Sequence, residues 1–267
     1  MTNSSSFIQR ALNNSLLQLN NSFEKLASGK RINRARDDAA GLAIASQLAS
    51  NVNITHQANR NIADAGSAIQ IADGSLSQIT NISTRMQELA VQSANGALSD
   101  EQRQTLQTEY NQLAQEAERI VATTEFNGQK LLAGDNITVQ AGTDAGGDSR
   151  IEVSGIDSSA ITAQIVAQDI STQAGAQAAL APLSDTIQNL SAARGSLGAV
   201  SARLDAASNN NSVRAENEIA ARSRIEDADI ATEVANATAA RIRAETGPAL
   251  LAQTNRLNAD IVRKLLS

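Results

Sequence analysis

Four cations fall close together in the chain, Lys30, Arg31, Arg34 and Arg36, and a cluster of this kind can hold a phosphate. Asp37 and Asp38 follow at once. Acidic residues suit the first turn of a helix, so the cluster reads as a charged joint between two helices. Asp144 and Asp148 flank Gly146-Gly147 and hint at a calcium loop, but the alternating oxygen ligands of such a loop are missing, and a hairpin turn accounts for them. His56, the single histidine, follows Thr55 beside a polar layer and reads as a packing or surface residue. Glu109, Glu116 and Glu118 read as helix-surface charges with no partner set for acid–base work. Without cysteine there is no disulfide, thiolate nucleophile or thiolate metal cluster. No Gly-x-Ser-x-Gly elbow, phosphate-cradling glycine loop or nucleotide fingerprint occurs. The expectation is a protein that is not an enzyme and uses no metal or cofactor.

Composition narrows the class further. The 267 residues carry a net charge of −6, and the aromatic set is Phe7, Phe23, Tyr110 and Phe126. A thick globular core normally draws on the large area of aromatic side chains, so the core here is expected to be thin. An acidic chain without stacking platforms is a poor nucleic-acid binder. No apolar run approaches the ~20 residues that span a bilayer, and residues 1–14 lack the basic head and apolar stretch of a cleaved secretory leader. Export, if it occurs, is expected by another route.

What must position the side chains is a set of long helices. Proline occurs only at 182 and 248, so the first 181 residues hold none to interrupt a helix. Apolar residues at 3,4 spacing form a first seam, Leu12, Leu16, Leu19, Phe23 and Leu26, closed by Gly29. A second runs without a slip from Ile44 through Leu48, Asn51, Thr55, Ala58, Ile62, Ala65, Ile69, Ala72, Leu76, Ile79 and Ser83 to Met86. At 1.5 Å per residue that stretch is about 65 Å long, whereas a compact chain of this size has a radius of gyration near ~18 Å. A rod is expected. Ser99 to Gln102 has the form of a capping box opening a third helix, with the seam Leu106, Tyr110, Leu113, Ala117 and Ile120. The short connection before it folds that helix back antiparallel.

One region reads as strand, a small hairpin near 136–153 in which Ile137, Val139, Ile151 and Val153 alternate with polar residues. Residues 154–181 have weak periodicity, and Pro182 either begins a helix or kinks one. Spacing returns at Leu183, Ile187, Leu190, Leu197 and Leu204, then at Ile230, Val234, Ile242, Leu250, Leu257, Ile261 and Leu265, with a kink or break expected at Gly247-Pro248. The fold class is therefore mainly α: an elongated antiparallel helical rod or coiled coil with pairing terminal helices and one small β-hairpin.

An apolar stripe without a partner is a liability. The terminal stripes can cover each other, and their remaining faces can meet the same helices of other copies; such a contact, if it does not close, generates a helical filament. On spacing alone, a monomeric or dimeric coiled-coil protein with its terminal helices packed internally accounts for the seams equally well.

The segment Leu26-Ala27-Ser28-Gly29-Lys30-Arg31-Ile32-Asn33-Arg34-Ala35-Arg36-Asp37-Asp38-Ala39-Ala40-Gly41 closely resembles the N-terminal signature of bacterial flagellins. Residues 88–96, Phe126-Asn127-Gly128-Gln129-Lys130-Leu131-Leu132, Ser196-Leu197-Gly198-Ala199 and 221–234 are similar to further landmarks of that family, in order. The resemblance implies a subunit that polymerises into the bacterial flagellar filament for motility. It also implies export, unfolded, through the flagellum's own secretion channel to an extracellular site. By the same resemblance 1–33 with 226–267 form an inner-tube domain and 34–225 a rod domain, with the outer variable domains absent. The inner-tube packing residues are then Leu12, Leu16, Leu19, Phe23, Leu26, Leu250, Leu257, Ile261 and Leu265. Implied partners are further copies of the chain, an export chaperone at the C-terminal helix, filament cap and hook-junction proteins, and the flagellin-sensing Toll-like receptor. Arg85, Leu89 and Glu109 match family contact positions for that receptor, with Gln92 nearby, while Leu113 stands where some members carry arginine. The alternative within the resemblance is a hook–filament junction protein.

Overall fold

The computed structural model describes residues 2–266, with side chains from Ser6 onward except at 258, 262 and 264–267. Its helices are α1 (Thr2–Ser28), α2 (Ala39–Ser93), α3 (Asp100–Thr123), α4 (Ser158–Val166), α5 (Gln173–Glu226) and α6 (Ile230–Leu266). The strands are β1 (Glu125–Phe126), β2 (Gln129–Lys130), β3 (Ile137–Gln140) and β4 (Arg150–Val153). The fold is mainly α with two small antiparallel sheets, β1–β2 and β3–β4. Two compact units divide it, Met1–Val52 with Glu216–Ser267, and Asn53–Ala215.

In the first unit α1 lies antiparallel to α6. Ser22 Oγ donates to Glu233 Oε1 at 2.7 Å near one end, and Arg243 Nη1 donates to Gln18 Oε1 at 3.4 Å further along. Gly29 ends α1 at φ +70°, a conformation open to glycine. The charged joint expected from Lys30 to Asp38 follows. Its two aspartates hold backbone amides: Asp37 Oδ2 accepts from Asn33 and Arg34, and Asp38 Oδ1 accepts from Gly41 at the start of α2. The joint is latched to the end of α5, where Glu226 takes Lys30 at 2.5 Å and Arg222 at 3.1 Å, while the Arg31 amide donates to the Glu226 carbonyl at 2.6 Å.

In the second unit every seam residue of α2 from Thr55 to Met86 is buried. α3 opens on the expected cap, with Ser99 accepting from the Gln102 amide and the Gln102 side chain accepting from the Ser99 amide. One apolar cluster gathers Ile62, Leu76, Ile79, Leu132, Leu190 and Leu204 with the β3–β4 hairpin. A second gathers Met86, Leu89, Ile165, Ile170 and Leu183 around Tyr110, whose hydroxyl donates to the Ile165 carbonyl at 2.9 Å. Burial pushes the Tyr110 phenol well above its ordinary range.

Three local features add to or differ from the sequence reading. Phe126-Asn127-Gly128-Gln129 forms a second hairpin, with Phe126 paired to Gln129 and Asn127 at φ +50°. The weakly periodic stretch after β4 contains α4, capped by Asp157, which accepts from the Ser159 and Ala160 amides. Neither proline breaks its helix: α5 already begins at Gln173 and α6 runs through Gly247-Pro248.

Candidate functional site: two interaction surfaces

The terminal helices meet through small residues. On α1 the face turned to α6 is Leu12, Ser15, Leu19, Ser22 and Leu26, with Ser15 and Ser22 buried and the three leucines half-buried. On α6 it is Ala237, Ala240, Ala244, Gly247, Leu251 and Thr254, again spaced 3,4. A Cβ placed on Gly247 would stand 3.0 Å from Leu12 Cδ1, so the helices approach closely there.

Other large apolar side chains of the two helices point away from this seam. Leu16, Phe23, Leu250, Leu257 and Ile261 are 43%, 52%, 54%, 56% and 46% exposed. Of the expected inner-tube residues, then, the structure turns Leu12, Leu19 and Leu26 to the intrachain seam and leaves these five on the surface. The Leu265 side chain lies outside the described residues. Phe7, Leu17, Ile44, Ile219, Ile230, Val234 and Ile242 join the exposed set. Phe7 and Leu17 fall outside the seams read from spacing; the doubled leucine at 16–17, wider than a single stripe, was the available signal. The first unit thus holds twelve of the seventeen large apolar side chains exposed among the described residues.

The second surface is on α2 and α3. Arg85 Nη2 and Nε reach Glu109 Oε1 at 2.9 and 3.2 Å, and Nη1 reaches Glu88 at 3.0 Å. Both carboxylates raise the Arg85 pKa, Glu88 most. Gln92 is exposed near the end of α2, while Leu89 is 1% exposed and packs in the Tyr110 cluster. The structure therefore brings Arg85 and Glu109 together on the surface and places Leu89, one turn further along α2, in the core. Leu113 is half-buried against the same cluster.

The chemical candidates resolve into structural roles. Arg31 Nη2 donates to the Ile225 carbonyl, Arg34 pairs with Glu24 and Arg36 lies 3.7 Å from Asp37, so three of the four clustered cations are spent in the joint and Lys30 in the latch. The Asp144 carbonyl accepts from Gln140, and Asp148 sits in a single 3₁₀ turn of the β3–β4 hairpin. His56 is exposed. No helix among the described residues is long and apolar enough to cross a membrane.

The family model of the bacterial flagellin N-terminal helical region matches residues 2–137, and that of the C-terminal helical region matches residues 180–265. A flagellin of Halalkalibacterium halodurans is 40% identical over 235 residues, covering 87% of this chain and 86% of that protein. The flagellar filament 33 kDa core protein of Treponema phagedenis is 34% identical over 98% of this chain and 97% of its own length. Among solved structures, the crystal structure of Bacillus cereus flagellin aligns with a TM-score of 0.52 at 29% identity, over 57% of this chain and 88% of that one. Two matched end regions separated only by 138–179, together with relatives of similar length, establish that the chain belongs to the bacterial flagellin family, a flagellar filament subunit without an evident variable outer domain.

Proposed function

We propose that the chain polymerises through its terminal helices, with 1–33 and 226–267 forming the inner tube of the extracellular filament and 34–225 standing outside it. One observation supports this most: Leu16, Phe23, Leu250, Leu257 and Ile261 of α1 and α6 face outward, while Leu12, Leu19, Leu26 and Leu251 interleave with serine, alanine and glycine in the intrachain seam. Burying a large aliphatic or aromatic side chain is worth about 1.5–3 kcal/mol, so further copies of the same helices recover a free energy that the single chain leaves unused. On this reading Leu16, Phe23, Leu250, Leu257 and Ile261 pack between copies, and Leu12, Leu19 and Leu26 hold each pair together. Export proceeds unfolded through the flagellar channel, with a chaperone covering α6 until assembly and the filament cap and hook-junction proteins meeting the same ends.

The test is seeded assembly. Purified chain added to sheared filament fragments should lengthen them, and Phe23→Asp should remove the elongation by placing an unpaired charge in the contact. Protein that binds fragment ends without extending them would mark a hook–filament junction protein instead. Protein that stays soluble would exclude both.

The receptor reading rests on Arg85, Gln92 and Glu109 as the touched surface, with Leu89 packed in the core one turn along α2 from Arg85. A charged arginine beside an apolar base has the chemistry of an interface hot spot. Arg85→Ala should weaken signalling in a Toll-like receptor reporter cell, and an unchanged response would remove the assignment.

A further inference from the structure

The sequence holds two Asn-Gly pairs, Asn95-Gly96 and Asn127-Gly128, and the structure gives them opposite chemical settings. Asn95 lies between α2 and α3, exposed together with Gly96. Its side-chain Oδ1 accepts from the Ala97 amide at 3.1 Å. Its main-chain carbonyl accepts from the Leu98 amide at 3.3 Å and from Arg103 Nη2 at 2.9 Å. Arg103 is 3% exposed. Its Nη2 also donates to the Leu98 carbonyl, while its buried Nε and Nη1 make no hydrogen bond. The nearest carboxylate, Asp100, is 3.8 Å from Nε and 95% exposed.

We propose that Asn95 is a site of spontaneous conversion to isoaspartate, and that Arg103 selects this product. In the first step the Gly96 nitrogen attacks the Asn95 side-chain carbonyl carbon. A carbon–nitrogen bond forms, the bond to the side-chain amide breaks, and ammonia leaves with the Gly96 amide proton. The Ala97 N–H on Oδ1 stabilises negative charge as it builds on that oxygen. The guanidinium on the Asn95 carbonyl draws electrons from the Gly96 peptide bond and acidifies the N–H that must be lost. Glycine offers no side chain to obstruct the closure.

In the second step water opens the cyclic imide. Attack at the former main-chain carbonyl breaks that carbon's bond to the Gly96 nitrogen. The nitrogen takes one proton of the water, the other goes to solvent, and a free α-carboxylate is left with the chain continuing through the old side chain. The oxygen already held by Arg103 thus becomes part of a carboxylate, against a buried cation with unused donors. A charge-assisted hydrogen bond replaces a neutral one, and attack at this carbonyl is favoured over attack at the other.

Asn127 is the internal control. It occupies the two-residue turn between β1 and β2 at φ +50°, followed by Gly128 at φ +78°, with Phe126 paired to Gln129 and Glu125 to Lys130 across the strands. Ring closure requires the following amide nitrogen to swing beneath the asparagine side chain, and strand pairing fixes the backbone against that rotation.

The experiment incubates the full folded chain in mildly alkaline buffer and maps both sites by tandem mass spectrometry, with electron-transfer fragmentation to separate isoaspartate from aspartate. Conversion at Asn95 is expected to run several-fold faster than at Asn127. The isoaspartate share at 95 should be higher in the folded chain than in the chain unfolded in urea, where the two sites should react alike. Arg103→Gln should lower that share, and Arg103→Lys should restore part of it. Equal rates at the two sites in the folded chain, or the same product ratio folded and unfolded, would overturn the proposal without reliance on either variant.

Discussion

Asn61 on α2 and Asn211 on α5 donate their side-chain amides to consecutive carbonyls of the β3–β4 hairpin, Gln140 at 3.2 Å and Ala141 at 2.8 Å. Two helices thus hold one end of the hairpin through a matched pair of side chains, one on the last carbonyl of β3 and one on the carbonyl that follows it. Asn61→Ala and Asn211→Ala are each expected to cost about 1 kcal/mol in urea unfolding. Together they should raise amide exchange across 137–153 while leaving α3 unaffected. Unchanged exchange in the hairpin would show that apolar packing alone seats it.

Acid should loosen the latch at Glu226. Hydrogen bonding from Lys30, with a smaller contribution from Arg222, holds its carboxyl below the ordinary value of 4.5. A group whose folded pKa is depressed binds fewer protons in the native than in the unfolded state, so its stabilisation is present above pH 4.5 and is lost as pH falls towards the folded value. Asp37, held down chiefly by the Arg34 amide, and Asp229, held down chiefly by the Thr232 hydroxyl, act in the same direction. Melting of the chain as a function of pH should therefore fall off in that acidic window, and Glu226→Gln should shrink the fall without abolishing it. A variant as acid-sensitive as the parent would exclude the latch as a contributor.

Leu16→Asp separates assembly from folding. Leu16 is 43% exposed and sits beside the seam formed by Ser15 and Leu19, so the substitution should change monomer stability by no more than about 0.5 kcal/mol. Seeded elongation should nevertheless be lost. A variant that elongates filaments normally would remove Leu16 from the contact between copies.

Leu89→Ala is expected to act through folding. At 1% exposure in the Tyr110 cluster, the truncation leaves a cavity that costs about 2–5 kcal/mol, read as a lower urea midpoint. Arg85→Ala, on the surface, should leave the midpoint nearly unchanged, so the two variants distinguish receptor contact from core packing.

Gly41→Ala should destabilise the start of α2 by about 1–3 kcal/mol, because the added carbon meets the Asp38 carboxylate and Ile32 Cδ1. Loss of the Asp38 cap on the Gly41 amide would follow, measurable as a lower melting temperature. A stabilised variant would show that the joint has more freedom than its contacts indicate.

Much of the second unit was legible because its seam obeys one rule: from Thr55 to Met86 every third or fourth residue is buried, including the polar Thr55 and Ser83, whose places spacing fixes whatever their chemistry. Ser99 and Gln102 announced the third helix through mutual hydrogen bonds that need only local sequence. The α1–α6 pair was less legible for a physical reason. Apolarity directs attention to Leu16 and Phe23, whereas the buried positions are Ser15 and Ser22, small enough for close approach and satisfied by the Ala11 carbonyl and Glu233. Pro182 lies inside a helix already under way, one of the two places spacing left open for it, and a missing amide is tolerated there because other contacts hold the turn; Thr186 donates its hydroxyl to the Pro182 carbonyl, and Leu183 is wholly buried. The short β1–β2 hairpin is carried by two left-handed residues, Asn127 and Gly128, a signal present in the sequence as a family landmark and overlooked as a turn.

The small-residue seam has a geometric consequence. Ala240, Gly247, Ser15 and Ser22 act as a spacer gauge, setting how far apart the axes of α1 and α6 lie. In a polymer built on that pair, one added methylene at Ala240 or Gly247 would be repeated at every subunit, so a sub-ångström change in the gauge would accumulate into an altered pitch along the whole length.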